Sequence, residues 1–288
     1  MEASSATFGP LVDDAWLADH LGEVVVCDVR WYLDGRSGRA AYESGHIPSA
    51  VFVDLDHDLS GPAGGTAGRH PLPDPEAFAA AMSRLGIGDG TPVVAYDDSS
   101  GGTAARLVWM LRVLGEPAAL LDGGLAAWSG PLDHDSLVPS PAAFTPRPWP
   151  AETIIDADAL AAAIAQDEVV AVDARAGERY RGEIEPVDAR AGHVPGAQNL
   201  PWASLVDPDT GRFRSGADLR ARLAEVGVEA GRPVVAYCGS GVSACVDVLA
   251  VEIAGLPAAR LFVTSWSGWS ADPDRPVATG AEPGGDGR

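Results

Sequence analysis

Two copies of an α/β domain, joined in tandem, are what this chain of 288 residues predicts. Three observations carry the expectation. Four blocks of sequence recur in the same order in the two halves; short, unbroken apolar runs alternate with helical patterns; and the length suits about two domains, each large enough to bury a core of its own.

In chain order, the first half offers an apolar run at 24–26 that leads into Asp28-Val29-Arg30, then the turn Gly45-His46-Ile47-Pro48-Ser49-Ala50, the run Val93-Val94-Ala95-Tyr96 and the turn Gly115-Glu116-Pro117-Ala118-Ala119. The second half repeats each of them: a run at 169–172 with Asp173-Ala174-Arg175, then Gly192-His193-Val194-Pro195-Gly196-Ala197, Val234-Val235-Ala236-Tyr237 and Gly255-Leu256-Pro257-Ala258-Ala259, at offsets of 140 to 147 residues. Runs that are apolar throughout, rather than at alternate positions, belong to parallel strands covered on both faces. Helical spacing at 158–165 and 218–226 supplies part of the cover. Each half therefore reads as a mainly parallel sheet flanked by helices. Pro139, Pro141, Pro146, Pro148 and Pro150 crowd a stretch with no apolar period, so 131–150 reads as a linker wrapped over the surface. The expected division is an N-terminal domain at 1–130, this linker, a C-terminal domain at 151–280 and a disordered, glycine-rich tail at 281–288.

Composition excludes several classes. A formal net charge of −21 argues against nucleic-acid and anionic-membrane partners. No apolar run reaches the roughly 18 residues of a membrane span, and the first nine residues lack the basic start and apolar core of a signal peptide. Three cysteines, an odd number, suit a reducing compartment, and a cytoplasmic protein is expected. With no metal-ligand spacing and no Walker or dinucleotide glycine pattern after a strand, no cofactor or metal is expected.

The chemistry points to Cys238. It ends the apolar run at 234–237 and opens Gly239-Ser240-Gly241-Val242-Ser243-Ala244, a small-residue turn leading into a helical segment. Free amides in such a turn and the positive end of the helix dipole favour negative charge, so a thiolate and any sulfur attached to it are stabilised there. The plain alternative is a cysteine buried at a strand end. Cys27 lies within a strand run, and Cys245 follows Cys238 by seven residues along a helix, too far for an unstrained bridge. Both read as inert thiols.

From about Leu11 to Thr279 the chain resembles the two-domain rhodaneses, and within them the mercaptopyruvate sulfurtransferases. The resemblance is carried by the Asp-x-Arg after the first strand of each half, the Gly-His-x-Pro-x-Ala turns, the Cys-Gly-Ser-Gly-Val-Ser loop at 238–243, and Ser265-Trp266-Ser267-Gly268-Trp269. It implies a catalytic C-terminal domain and a degenerate N-terminal copy, in which Asp97 stands at the position of Cys238 and cannot carry a persulfide. A tyrosine-phosphatase loop would need an arginine where Ala244 stands. The resemblance further implies an enzyme that moves sulfane sulfur from 3-mercaptopyruvate, through a persulfide on Cys238, to a thiol such as a thioredoxin-like protein or a low-molecular-weight thiol, or to cyanide. Two alternatives stay open: thiosulfate as the donor, and a persulfide carrier or binding module without turnover. Gly239 and Ser240 are neutral where thiosulfate-specific members often carry basic residues, and the whole chain contains no lysine, which leans toward mercaptopyruvate.

The same resemblance distributes the roles. Arg179 matches a carboxylate-binding arginine, a task that suits a bidentate guanidinium, with a surface ion pair to Glu178 or Glu183 as the alternative. A second such arginine is expected within 183–192; the stretch is short, and Arg190 is the replacement at hand. The loop residues Gly239, Gly241, Val242 and Ser243 cradle the substrate. Ser240, with His70 and Asp56 from the N-terminal domain, makes up a proton relay, the carboxylate orienting the imidazole. His46 and His193 occupy matching places in both halves, including the half without a nucleophile, so they read as structural. Asp28, Arg30, Asp173 and Arg175 read as scaffold for the same reason. Trp266 and Trp269 either wall the pocket or pack in the core.

Overall fold

The computed structural model describes residues 9–284, in two compact units. The first comprises the described residues up to Leu59, Pro73–Trp149 and Pro208–Arg212; the second comprises Ser60–Leu72, Pro150–Asp207 and the described residues from Phe213 onward.

Both units use one plan. In the first, the strands β1 (Leu11–Val12), β2 (Val25–Asp28), β3 (Val51–Phe52), β4 (Val93–Tyr96) and β5 (Ala118–Leu121) form a parallel sheet in the order β1-β5-β4-β2-β3. Its helices are α1 (Asp14–His20), α2 (Gly38–Glu43), α3 (Leu55–Asp58), α4 (Pro75–Arg84), α5 (Ala104–Val113) and α6 (Gly124–Ala127). In the second, β6 (Ile154–Ile155), β7 (Val170–Asp173), β8 (Gln198–Asn199), β9 (Val234–Tyr237) and β10 (Arg260–Phe262) repeat the order as β6-β10-β9-β7-β8, again parallel. The helices there are α7 (Ala157–Ala165), α8 (Gly177–Tyr180), α9 (Gly216–Glu225), α10 (Ala244–Ile253) and α11 (Ser265–Ala271). The apolar runs become the buried central strands β2, β4, β7 and β9. Aspartates start the first helix of each unit: Asp13 and Asp156 each accept the third following amide, from Trp16 and Ala159, at 2.8 Å.

β2 and β7 extend past the apolar runs to Asp28 and Asp173, and charge explains how a strand can end inside the core. Arg175 clasps Asp173 (Nε–Oδ1 3.0 Å, Nη2–Oδ2 2.6 Å), and its Nη2 also donates to the Gly192 carbonyl at 2.7 Å. Arg30 does the same with Asp28 and Gly45 in the first unit. Each arginine thus ties a strand end to the glycine that opens the Gly-His turn. In those turns His46 stacks on Tyr42 at 3.9 Å and His193 on Tyr180 at 3.7 Å, each with Nδ1 2.8 Å from the tyrosine's carbonyl oxygen. These contacts make both histidines structural, as their duplication implies.

Three boundaries differ from expectation. Ser60–Leu72 falls in the stretch expected to belong to the N-terminal domain but packs in the second unit. Gly68 makes this possible, because a Cβ there would lie 2.7 Å from the Thr264 carbonyl oxygen, and Arg69 N then donates to Ser267 Oγ at 3.1 Å. The proline-rich stretch through Trp149 is counted with the first unit, where Phe144 meets Phe78 edge-on and Trp149 Nε1 donates to the Pro73 carbonyl at 2.9 Å. Of the tail expected to be disordered, 285–288 lie outside the described residues, whereas Pro283 is held, its carbonyl accepting from Gly196 N at 2.7 Å. Among the described residues no helix is long and apolar enough to cross a membrane.

Removing one partner of a buried ion pair strands the other charge. Arg175→Met is therefore expected to lower unfolding free energy by about 3–5 kcal/mol, read by urea denaturation. A loss under about 1 kcal/mol would show that Asp173 does not depend on the clasp.

Candidate active site

Cys238 follows β9 directly, is almost wholly buried, and begins a tight turn into α10. Gly241 N donates to its Sγ at 3.2 Å. Only glycine fits at that point, since φ is +76° and a Cβ would sit 2.3 Å from the Val263 carbonyl oxygen. The β10–α11 turn braces the loop from the other side: Trp266 N donates to the Cys238 carbonyl at 3.0 Å, Ser267 N to the Gly239 carbonyl at 2.8 Å, and Cys238 N donates to Ser265 Oγ at 3.1 Å. Ser243 is the N-cap residue of α10 and its hydroxyl makes no cap, while Val246 N turns back to the Ser243 carbonyl at 3.0 Å. Val242 contributes through its carbonyl, which accepts from Cys245 N at 3.1 Å. All three cysteines are buried free thiols, and Cys245 Sγ donates to the Gly241 carbonyl at 3.5 Å instead of bridging.

The first unit holds a copy of this loop with its anion built in. Asp97 follows β4 as Cys238 follows β9, and its carboxylate accepts from the amides of Ser99, Gly101, Thr103 and Ala104, each at 2.8 Å, and from Thr103 Oγ1 at 3.0 Å. Leu125 N donates to the Asp97 carbonyl at 2.8 Å, as Trp266 N does to that of Cys238. The turn is thus an anion cradle by construction, filled with a carboxylate in one unit and presented with a thiol in the other.

Two guanidinium groups meet above the first residue after Cys238. A Cβ built on Gly239 would lie 2.8 Å from Arg69 Nη2 and 3.5 Å from Arg179 Nη1. Arg179 sits in α8, and its ion-pair partners are neither Glu178 nor Glu183: Nη2 donates to Glu185 Oε1 at 2.7 Å and to Asp188 Oδ2 at 3.2 Å. Arg69 Nη1 pairs with Asp188 Oδ1. The Nε atoms of both arginines are buried without a hydrogen-bond partner.

Arg190 does not serve as the second substrate arginine. Its guanidinium donates to four carbonyls at the end of α11, those of Ser270 (2.9 Å), Arg275 (2.9 Å), Trp269 (3.2 Å) and Asp272 (2.5 Å), where a cation also complements the helix dipole. The guanidinium that joins Arg179 over Gly239 is instead that of Arg69, which lies outside the stretch where a second arginine was expected and which sequence reasoning missed. The one available signal was its position beside His70.

His70 and Ser240 come together, Nδ1 to Oγ at 2.7 Å, both nearly buried. His70 reaches the loop because Ser60–Leu72 packs in the second unit. Asp56 lies in α3 of the first unit, where its Oδ2 accepts from Trp31 Nε1 at 2.9 Å, beside a cavity of about 400 Å³ also lined by Tyr32, Arg36 and Arg39. Trp266 and Trp269 are core residues: both are buried, with Nε1 donating to the Arg190 and Pro276 carbonyls respectively.

A thiol that accepts from a loop amide, with two guanidinium groups over the next residue and a histidine–serine pair on the same loop, sets a potential nucleophile among groups that bind anions and pass protons. Two stretches, 13–131 and 156–272, match the rhodanese-like domain, and the chain belongs to the rhodanese family in its two-domain form. Within that family it is most similar to the mercaptopyruvate sulfurtransferases. It is 44% identical over 276 residues to a probable 3-mercaptopyruvate sulfurtransferase of Pseudomonas aeruginosa, covering 92% of this chain and 96% of that one. Over 261 residues it is 42% identical to SseB of Mycobacterium tuberculosis, a protein named for thiosulfate sulfurtransfer, covering 89% and 91%. The crystal structure of the 3-mercaptopyruvate enzyme SseA from Escherichia coli superposes with a TM-score of 0.79 at 31% identity, covering 90% of this chain and all of that one.

Asp247, in the first turn of α10, is the residue that the motifs do not account for. It is fully buried, and neither carboxylate oxygen has a hydrogen-bond partner. Burial first, then the nearby Cys238 and Asp173, push its carboxyl well above the ordinary 3.8. The folded chain keeps this proton where the unfolded chain releases it, so the burden on stability grows as pH rises above about 4. Asp247→Val should raise unfolding free energy by about 1–3 kcal/mol at neutral pH and by less at pH 4, measured by denaturant unfolding at both. A loss of stability, or a gain indifferent to pH, would contradict this account.

Proposed function

We propose that this sulfurtransferase moves sulfane sulfur from 3-mercaptopyruvate to a thiol or cyanide through a persulfide on Cys238. The observation that supports it most is the cradle: a thiol stands where the sister loop holds a carboxylate on four amides and a hydroxyl. In the first half-reaction the Cys238 thiolate attacks the donor sulfur, and the S–C bond breaks with its electron pair passing to C3 of the pyruvate enolate. A proton delivered by the His70–Ser240 pair to C3 completes pyruvate. Arg179 and Arg69 hold the donor carboxylate, while loop amides carry the charge of the persulfide. In the second half-reaction an acceptor thiolate attacks the outer sulfur and leaves as a persulfide, regenerating the Cys238 thiolate. A small thiol or a thioredoxin-like protein suits the step.

One observation favours a second reading. Arg69 places a guanidinium beside Gly239, a cation that the loop sequence itself lacks, and this suits thiosulfate, whose leaving group is sulfite.

Cys238→Ser should fold normally and lose sulfur transfer with either donor, because the hydroxyl cannot carry sulfane sulfur. Mass spectrometry of donor-treated wild type should find one extra sulfur on Cys238; finding it on Cys245, or turnover in the serine variant, would end the assignment.

Only mercaptopyruvate leaves as a carbon base that needs a proton. His70→Ala should cut mercaptopyruvate turnover by roughly 10²-fold and thiosulfate turnover by no more than a few-fold. Asp56→Asn, at the position that the family pattern puts behind the imidazole, belongs in the same assay. Equal losses on both donors would make these residues structural, and a wild type that prefers thiosulfate would decide for the second reading.

A further inference from the structure

Asp188 occupies the arginine pair as a donor's anionic group would. Its two oxygens divide between the two cations, Oδ1 on Arg69 and Oδ2 on Arg179 at 3.2 Å, at the point where both guanidinium groups stand over Gly239. The side chain is only 4% exposed, and Asp188 N donates to Glu185 Oε1 at 3.0 Å, so the carboxylate is held in place by its own loop. Glu185 in turn accepts from Arg179 and, through Oε2, from Arg175 at 3.3 Å, while Asp173 neutralises Arg175. Arg69, Arg175 and Arg179 are therefore matched one for one by Asp173, Glu185 and Asp188. The resting site carries two cations beside the nucleophile and offers no net positive charge.

On the reading that the donor is an anion, we infer that Asp188 is a resident competitor: the donor's carboxylate or thiosulfonate group binds by displacing Asp188 from Arg69 and Arg179, so this residue sets donor affinity. Exchanging one carboxylate for another leaves the number of charge-assisted hydrogen bonds unchanged, so the gain on binding is small compared with that at an open arginine pair. The consequence is a site with low affinity for anions in general, in which attack on the donor sulfur rather than ground-state binding discriminates among them.

The competition responds to pH. The charged groups facing Asp188 are Arg69 from Ser60–Leu72, Arg175 and Arg179 from the β7–α8 region, and Glu185 from its own loop. Burial raises its carboxyl above the ordinary 3.8, opposed by Arg69 and reinforced by Glu185, with Arg179 and Arg175 opposing further. As pH falls through that raised value Asp188 becomes neutral, the arginines are released, and anion affinity rises.

The test uses Asp188→Asn and Asp188→Ala in the full chain. In the Cys238→Ser background, calorimetric titration with thiosulfate and with pyruvate should show about tenfold or tighter binding in both variants than with Asp188 present. In the active enzyme KM for the donors should fall by more than kcat changes, and the wild-type tightening toward acid pH should be absent from both variants. Glu183→Gln, which removes an exposed acid paired with Arg181, should leave affinity within about twofold. Unchanged or weaker binding in both Asp188 variants would overturn the inference and make Asp188 an organiser of the arginines. Tighter binding of thiosulfate and pyruvate in an enzyme that turns over neither donor would uphold it while removing the proposed function.

Discussion

A turn that closes backbone amides on one acceptor constrains both halves of this molecule: four amides meet Asp97 in the first unit, and Gly241 N meets Cys238 Sγ in the second. It requires glycine at 241, because the Val263 carbonyl occupies the space of a side chain, and it requires the β10–α11 turn to donate to the loop's own carbonyls. That turn in turn bends at Ser265, a non-glycine residue at φ +52° whose hydroxyl accepts from Cys238 N and donates to the Phe262 carbonyl at 2.9 Å. Buried Asp-Arg clasps at the ends of β2 and β7 tie those strands to the Gly-His turns. Loop, brace and clasp form one unit of construction, and the chain contains it twice.

Electrostatics then separates the two copies. With a formal net charge of −21 the chain as a whole repels anions, so a site that handles them must gather cations locally. The arginines do so in pairs with acids, which keeps each charge solvated by a partner where water is scarce. The unpartnered Nε atoms of Arg69 and Arg179 are the residual imbalance of this arrangement, and the Nη atoms of the same two side chains stand over Gly239, the residue after Cys238.

The strands, the duplication and the cysteine loop were legible because each depends on short-range pattern: an apolar run, a block that recurs, a turn of small residues. The local pattern singled out Cys238, while Ser240, His70 and Arg179 were picked out through resemblance to a family motif, and the structure brings His70 to Ser240 and Arg179 to Gly239. Arg190 misled because its position in the chain suited the motif while its environment, the open end of α11, is formed by residues about 80 positions away. Arg69 was hidden for the opposite reason. Nothing in Gly68-Arg69-His70 says that this segment packs beside Thr264 and Ser267, and that contact, made by tertiary folding, is what brings its guanidinium to Gly239. Asp247 gives no local signal either, since an acid in the first turn of a helix is ordinary until its burial is seen.

Asp97 has a consequence for the chemistry of the whole chain under stress. Sulfur in a thiol is a group that oxidants and electrophiles alter covalently wherever they reach it. The carboxylate in the sister loop has no sulfur to oxidise, and its bonds to four amides and a hydroxyl hold that loop independently of any chemistry at sulfur. One unit ends this turn on a group that chemistry can alter; the other is a fixed reference built on the same backbone plan, whose geometry chemistry at sulfur cannot disturb.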